Sequence, residues 1–448
     1  MKLVRFTAEA VFDYLNFDIT FNDDLTLLTG TNGSGKTTVI RLIQALLTAS
    51  TKELNLISFR TVQLVLDNAG SHTAISAQYA NDTIDISVTG ITEVLHLPRI
   101  DPEEVARRNP DASKGPDIFA EITVSISTTG VFKFLSSLEA PVILGLERRL
   151  QVPESRVDSD RYYGRVAFSS RRRLFRGTLG LSLLETQQMV QDAYRQIREF
   201  QDKQNETLRE NILFSMFNYT TSDSVLPSPA EKQPSWQNQS QILNRQKEVE
   251  ASLMSMVISR EKLTAVIEDF FVRVKDLFGR MAKGGRKDIL NLEWLINKAQ
   301  IDRIVSITEI VDKHKSSMDE FMTPLNLFKD GINGFYSDSQ KTIDIDPVGF
   351  LYVRRQKDGK ATSVEALSSG ERQLLIIFAH LMFNRFSHKS NVFIIDEPEL
   401  SLHLKWQGMF IEQISKLSPN TQFILATHSP EIVGDFESKC IPLAEVQK

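Results

Sequence analysis

Apolar and polar residues alternate through Phe17–Phe21, and a short apolar run, Leu25–Leu28, ends at Gly30, so the chain opens on strands. The period then changes. Val39, Ile40, Leu42, Ile43, Leu46 and Leu47 recur at helical spacing, which predicts a helix directly behind a glycine-rich turn. From 56 to 128 the pattern reads mainly as strands and hairpins, with Val62–Leu66, Thr83–Val88 and Ile122–Ile126 as strands and Asp67-Asn68-Ala69-Gly70 as a turn. Val142–Leu146 is another apolar strand, closing on Glu147-Arg148-Arg149.

The character shifts after about residue 180. Residues 181–218 and 240–282 are rich in Gln, Glu, Lys and Arg, with apolar positions at helical spacing; Leu263, Ile267, Phe270, Val274, Leu277 and Met281 make the clearest stripe. That stripe is read as helix packing within the insertion rather than as a partner-binding face. Polar, proline-punctuated Thr221–Gln239 reads as a mobile loop between the helices. At ~1.5 Å per residue each long helix could reach roughly 60 Å, enough for a stubby helical hairpin. Strands return at Thr342–Ile345 and Phe350–Arg354, a helix follows Ser368, and strands cover Val392–Ile395 and Gln422–Ala426. The expected fold is therefore an α/β head, a mixed sheet with flanking helices, interrupted by a short coiled-coil-like helical insertion. Its parts are 1–180, 181–330 and 331–448.

Composition narrows this picture. A chain of 448 residues exceeds one ordinary core. A net charge of −5 argues against a globally basic nucleic-acid coat, though not against a local basic groove. Cys440 is the only cysteine, which excludes an internal disulfide and a cysteine-based zinc site and fits a reducing cytoplasm. Nowhere do 18 apolar residues run together, so no membrane-spanning helix is expected.

The chemistry lies at the ends of the predicted strands. Gly30-Thr31-Asn32-Gly33-Ser34-Gly35-Lys36-Thr37 has the full phosphate-loop spacing between a strand and a helix. Its glycines let successive amides point inward at a β-phosphate, and the helix start adds partial positive charge. Gly30, Asn32, Gly33, Ser34, Gly35, Lys36, Thr37 and Thr38 are the candidate nucleotide-binding set. Lys36 would reach the β- and γ-phosphates and Thr37 would hold Mg²⁺. Asp396-Glu397 closes the apolar strand Val392–Ile395, and strand alternation sends the two carboxylates in different directions. Asp396 suits the metal shell and Glu397 a general base acting on water. In Leu367-Ser368-Ser369-Gly370-Glu371-Arg372-Gln373 a serine and a glycine open a helix, which makes a second anion site. A second phosphate site in a chain that already has a phosphate loop invites an arrangement in trans.

These segments, with Ser401-Leu402-His403 and Ala426-Thr427-His428-Ser429, resemble the motif series of ABC ATPases. The branch is that of chromosome-maintenance, recombination and overcoming-lysogenisation-defect proteins, and Asp396–His403 is similar to its extended second Walker motif. The resemblance spans roughly 1–180 and 330–448. It implies an ABC-type head, ATP and Mg²⁺ as cofactors, and a homo-oligomer in which two heads sandwich two ATP molecules. Ser368 and Gly370 of one head would touch the γ-phosphate held by Lys36 of the other. His428 would be the switch histidine, catalytic beside Glu397 and Lys36, and Ser401–His403 would cross the dimer interface. Three departures matter. Ser369 replaces a signature glycine, the linking glutamine is unassigned (Gln63 is conceivable, on a predicted strand), and so is the residue stacking on adenine. Many ABC proteins also carry an aspartate where His403 stands.

Arg148 to Arg176 is arginine-rich, with Tyr162 and Tyr163 between. Phosphate-backbone contact is one reading; a solvated connector or an acidic partner surface is the favoured one. Arg148 or Arg149 could also approach the nucleotide. Little chain follows His428, so a fused nuclease is not expected, and the layout resembles stand-alone ATPase subunits of anti-phage systems of the PARIS or Septu type. That implies a slow, regulatory ATPase acting as a switch or scaffold for a separately encoded effector, a nuclease by preference. The alternative is a DNA-binding repair ATPase of the recombination-mediator branch. A transporter engine is not expected, because the gap between Lys36 and Leu367 is far longer than transporters show.

Overall fold

The computed structural model describes residues 1–68, 70–80, 82–100, 118–138, 141–145, 178–216, parts of 268–280, 287–384 and 391–443. They form two compact units. One joins Met1–Tyr194 to Pro324–Lys448, and the other is Arg195–Thr323.

The first unit is built on two sheets. The strands β1 (Lys2–Val11), β2 (Leu15–Thr20), β4 (Thr61–Asn68), β5 (Ser71–Ala80), β6 (Thr83–Val88) and β7 (Leu95–Pro98) form a six-stranded antiparallel sheet in the order β2-β1-β4-β5-β6-β7. Its register lines Phe6 with Leu64, Leu64 with Ile75 and Ile75 with Val88, all buried, so one face is a continuous apolar row.

The second sheet is wholly parallel, in the order β14-β3-β13-β12-β8, from β3 (Leu25–Thr29), β8 (Val142–Leu144), β12 (Val392–Asp396), β13 (Gln422–Thr427) and β14 (Cys440–Pro442). Its central strands are apolar on both faces because both are covered. Alternation divides each strand between two cores. Leu28, Ile143, Ile394 and Ile424 pack in one core with the antiparallel sheet, α1 (Lys36–Thr48) and α2 (Thr51–Leu56). Leu27, Leu144, Phe393, Ile395 and Leu425 pack with α7 (Ser369–Phe383), α8 (Leu404–Leu417) and the end of the long helix Lys287–Tyr336. A third, antiparallel sheet joins β9 (Lys341–Ile345), β10 (Leu351–Arg355) and β11 (Ala361–Ser363).

One strand expectation fails. Ile122–Ile126 lies in the helix α3 (Ile118–Ile126), which is followed by α4 (Gly130–Ser137). In a strand Ile122, Val124 and Ile126 would share a face, but Val124 is 72% exposed and Ile126 only 7%. Ile118, Ile122 and Ile126 instead recur every four residues, and a run this short cannot separate the two periods.

In the second unit the stretches of two long helices, α5 (Thr178–Met216) and α6 (Lys287–Tyr336), that fall within Arg195–Thr323 pack antiparallel. Phe200 stacks on Phe321 at 3.9 Å, and Leu208 and Ile212 meet Val311. At ~1.5 Å per residue they reach about 58 and 75 Å. Pro324, inside α6, marks the unit boundary, where a missing N–H interrupts the helical ladder. Of the sequence stripe, Val274 and Leu277 are buried, while its other members, the Thr221–Gln239 loop and the Arg148–Arg176 segment lie outside the described residues.

Candidate active site

The register of the parallel sheet brings the motifs to one edge. Thr29 pairs with Thr427, and Ala426 pairs with Asp396, so the phosphate loop, the carboxylate pair and the histidine leave adjacent strands at their carboxyl ends. That edge is where open parallel sheets place ligands.

The phosphate loop curls through three left-handed glycines: Gly30 (φ 153°), Gly33 (φ 91°) and Gly35 (φ 93°). Gly35 has a second reason to be glycine. A Cβ there would stand 2.5 Å from the Phe17 ring. Lys36 Nζ donates to the Gly30 and Thr31 carbonyls at 2.8 and 3.2 Å, so the cation lies folded over its own loop. Ser34 Oγ is buried without a hydrogen-bond partner among the described residues. A buried hydroxyl on a glycine-curled loop at a helix start fits a phosphate oxygen.

Thr37 Oγ1 donates to Asp396 Oδ2 at 2.8 Å across 359 positions of sequence, and Asp396 is 2% exposed. The hydroxyl–carboxylate pair suits a hard divalent cation. A cavity of about 210 Å³ opens over the loop, lined by Asn32, Gly33, Gly35, Lys36, Thr37, Thr38 and Glu397. Its remaining wall is Phe12, Tyr14 and Leu15 from the β1–β2 turn. Sequence reasoning missed that aromatic wall. Phe12 and Asp13 both have positive φ, and the tight turn they make carries Phe12 and Tyr14, both partly exposed, to the loop. The only signal available was an aromatic pair interrupting an alternating pattern.

Glu397 sits at the cavity rim in a left-handed conformation (φ 48°), its amide donating to the Ala426 carbonyl at 2.8 Å. Its carboxylate touches His428 Nδ1. Burial lifts the Glu397 carboxyl above its ordinary range, and the charge and hydrogen bond of Glu399 add to the rise, while His428 pulls it back. A carboxyl held this way is a better proton acceptor than a solvated one. Glu397, Glu399 and His428 offer ligand atoms within 4.8 Å of one another.

Ser368 and Gly370 do not line the cavity of their own chain. Ser368 caps α7. Its hydroxyl accepts from the Glu371 amide at 3.4 Å, and Glu371 Oε2 accepts from the Ser368 amide at 2.7 Å, a complete capping box. Glu371 is 2% exposed, receives Lys341 Nζ at 2.8 Å and Ser339 Oγ at 2.8 Å, and gives its carbonyl to the Tyr336 hydroxyl. A Cβ on Gly370 would lie 2.4 Å from the Ser401 carbonyl, so the signature and Ser401–His403 are packed as one surface. His403 caps α8 and Leu404 beside it is exposed. Gln63 is on β4, its amide donating to Ser76, away from the residues lining the cavity. Arg148 and Arg149 lie outside the described residues.

A curled glycine loop, a lysine, a threonine–aspartate pair and a glutamate–histidine pair at the carboxyl edge of a parallel sheet define a P-loop nucleotide-binding head. Comparison with known families agrees. The chain belongs to the AAA ATPase domain family, whose profile matches residues 177–433, from the insertion through the histidine. The Retron Vc95 probable ATPase of Vibrio cholerae serotype O1 biovar El Tor is 26% identical over 199 residues, covering 40% of this chain and 38% of that protein. The Retron Ec83 probable ATPase of Escherichia coli is 28% identical over 152 residues, 28% of each chain, and Endonuclease GajA of Bacillus cereus (strain VD045) is 29% identical over 132 residues, 29% of this chain and 21% of that one. The chain thus spans less than half the length of these relatives. Among solved structures, the Smc head domain of Pyrococcus furiosus aligns over 98% of this chain and 93% of its own at 13% identity, with a TM-score of 0.40. No helix among the described residues is long and apolar enough to cross a membrane.

Proposed function

We propose that the head binds ATP at Gly30–Thr38 and hydrolyses it slowly once a second copy supplies Ser368 and Gly370, and that this cycle controls a separately encoded effector in anti-phage defence. The observation that carries the reading is the direct Thr37–Asp396 contact beside a rim that presents Glu397 against His428.

In this reading the loop amides and Ser34 Oγ receive the phosphates, and Lys36 leaves the Gly30 and Thr31 carbonyls for the β- and γ-oxygens. Thr37 and Asp396 would hold Mg²⁺, which when bound neutralises charge on the phosphate oxygens. Glu397 takes a proton from the attacking water, and His428 fixes the Glu397 carboxylate and contacts the γ-phosphate. Phe12 and Tyr14 offer the nucleoside an aromatic wall. A trans arrangement is supported by the position of exposed Ser368 off its own cavity, with Gly370 buried against Ser401 and with Leu400 and Leu404 exposed on either side of that serine in sequence. The effector role rests on the resemblance to stand-alone defence ATPases and on the matches to retron probable ATPases.

Glu397→Gln tests the chemistry. We expect ATP to be retained, turnover to fall at least ~100-fold and the protein to accumulate as paired heads by light scattering with ATP. A wild-type rate in that variant sinks the assignment. Copurification with the neighbouring gene product tests the effector role, and activity of the isolated ATPase in defence without any partner contradicts it.

A further inference from the structure

Beyond helping to raise the Glu397 carboxyl, Glu399 has no assigned role in the reaction described above, yet it is among the most constrained side chains of the site. Only 6% exposed, it puts one oxygen, Oε1, at the point where β13 ends. That oxygen accepts from Thr427 Oγ1 at 2.7 Å, the His428 amide at 2.8 Å and the Ser429 amide at 3.1 Å, and stands 3.0 Å from His428 Nδ1. Its own backbone is fixed by the turn after β12, where the Leu400 amide bonds the Glu397 carbonyl and the Leu402 amide bonds the Glu399 carbonyl. One proline, Pro398, separates it from Glu397. The two acids therefore reach the same histidine from one rigid turn, Glu397 through the ring and Glu399 through both ring and main chain.

A carboxylate that gathers two consecutive amides and a hydroxyl fixes the path of that backbone. Without it, the buried Thr427 hydroxyl and the half-buried His428 amide would lack their acceptor, and the turn would relax towards water. The imidazole would then lose its position against Glu397. On the reading that Glu397 and His428 perform ATP hydrolysis, we infer that Glu399 is the positioning residue of this site: it clamps the exit of β13 so that His428 meets Glu397 in the reactive geometry. Nucleotide binding does not need it, because the phosphate loop and Lys36 are held by other contacts.

The clamp works through Oε1 as an acceptor. Glu399 Oε2 is buried with no hydrogen-bond partner among the described residues. A glutamine can keep its oxygen at Oε1 and place its nitrogen where nothing is displaced. A residue with a shorter or missing side chain cannot.

The test is a double-mutant cycle in the full chain, read as kcat for ATP and as affinity for a fluorescent ATP analogue. Glu399→Ala should lower kcat ~30-fold with affinity within about threefold of wild type, and Glu399→Gln should restore kcat to within about threefold. Glu399→Ala combined with His428→Ala should be no slower than the slower single variant, since both remove the same arrangement. Independent effects that multiply overturn the inference, as does a folded Glu399→Gln as impaired as Glu399→Ala. Should the alanine variant melt out, Glu399→Asp carries the same cycle, because it keeps the charge but withdraws the acceptor by one methylene. If His428→Ala alone turns over ATP at the wild-type rate, the hydrolytic reading falls, whatever the cycle shows.

Discussion

Two helix starts in this head offer amides to an anion, and they are prepared in opposite ways. At the start of α1 the loop is bent through left-handed glycines, Ser34 Oγ is buried with no partner among the described residues, and Lys36 rests on the carbonyls of its own loop. At the start of α7 the capping groups are already paired: Ser368 and Glu371 cap each other, and Lys341, Ser339 and Tyr336 brace the glutamate. The first is a socket whose donors are held on provisional partners until a ligand replaces them. The second is a finished surface, shaped before any ligand arrives. Binding energy should therefore concentrate at the socket, and the finished surface should matter chiefly when a second copy presents it.

The largest expected effect separates them directly. Lys36→Ala should weaken ATP binding at least ~100-fold, measured by titration with a fluorescent analogue, because the cation folded over the loop is gone. Near-normal binding in that variant would erase the distinction. Next, Gly370→Ala should cut turnover ~10-fold or more while leaving analogue binding within about threefold. The added methyl meets the Ser401 carbonyl rather than the nucleotide cavity. Equal losses in binding and turnover would place Gly370 in the socket after all.

The smallest effect concerns the brace. Glu371→Ala should lower stability by about 2–4 kcal/mol in denaturant unfolding, since Lys341 and the Ser368 amide lose a buried acceptor. The brace also carries a pH signature. Burial raises the Glu371 carboxyl, but Lys341, the Ser368 amide and Ser339 together hold it below its ordinary 4.5. A depressed folded value means this stabilisation is complete above pH ~4.5 and is lost as the pH falls below it. The melting temperature of the wild type should accordingly drop on acidification through that range, and Glu371→Gln should drop less.

Legibility in the sequence followed locality. The phosphate loop, the Asp396-Glu397 pair, the signature and the histidine each occupy a few consecutive residues whose spacing states their geometry, and the strand and helix periods around them hold in the structure. The strand expected over Ile122–Ile126 fails for the same reason in reverse, since five residues are too few to distinguish an apolar helix from a strand. Phe12 and Tyr14 were invisible because their turn has no nucleotide-site spacing; only the folding of β1 and β2 over the loop puts them there. Glu399 stood in a motif already noted, but nothing in its neighbours says that it bonds residues 28 to 30 positions later.

The sequence by itself determined the phosphate loop, the carboxylate pair, the signature and the histidine, and that each sits at a strand end or a helix start. Local backbone chemistry decides that: glycines permit the curl, serine and glutamate cap a helix, and an apolar run ends where a carboxylate begins. Tertiary structure alone decided which of these groups meet. Thr37 touches Asp396, and Glu399 holds His428, because β3, β13 and β12 lie side by side in one parallel register, and register is fixed by burying both faces of the sheet at once.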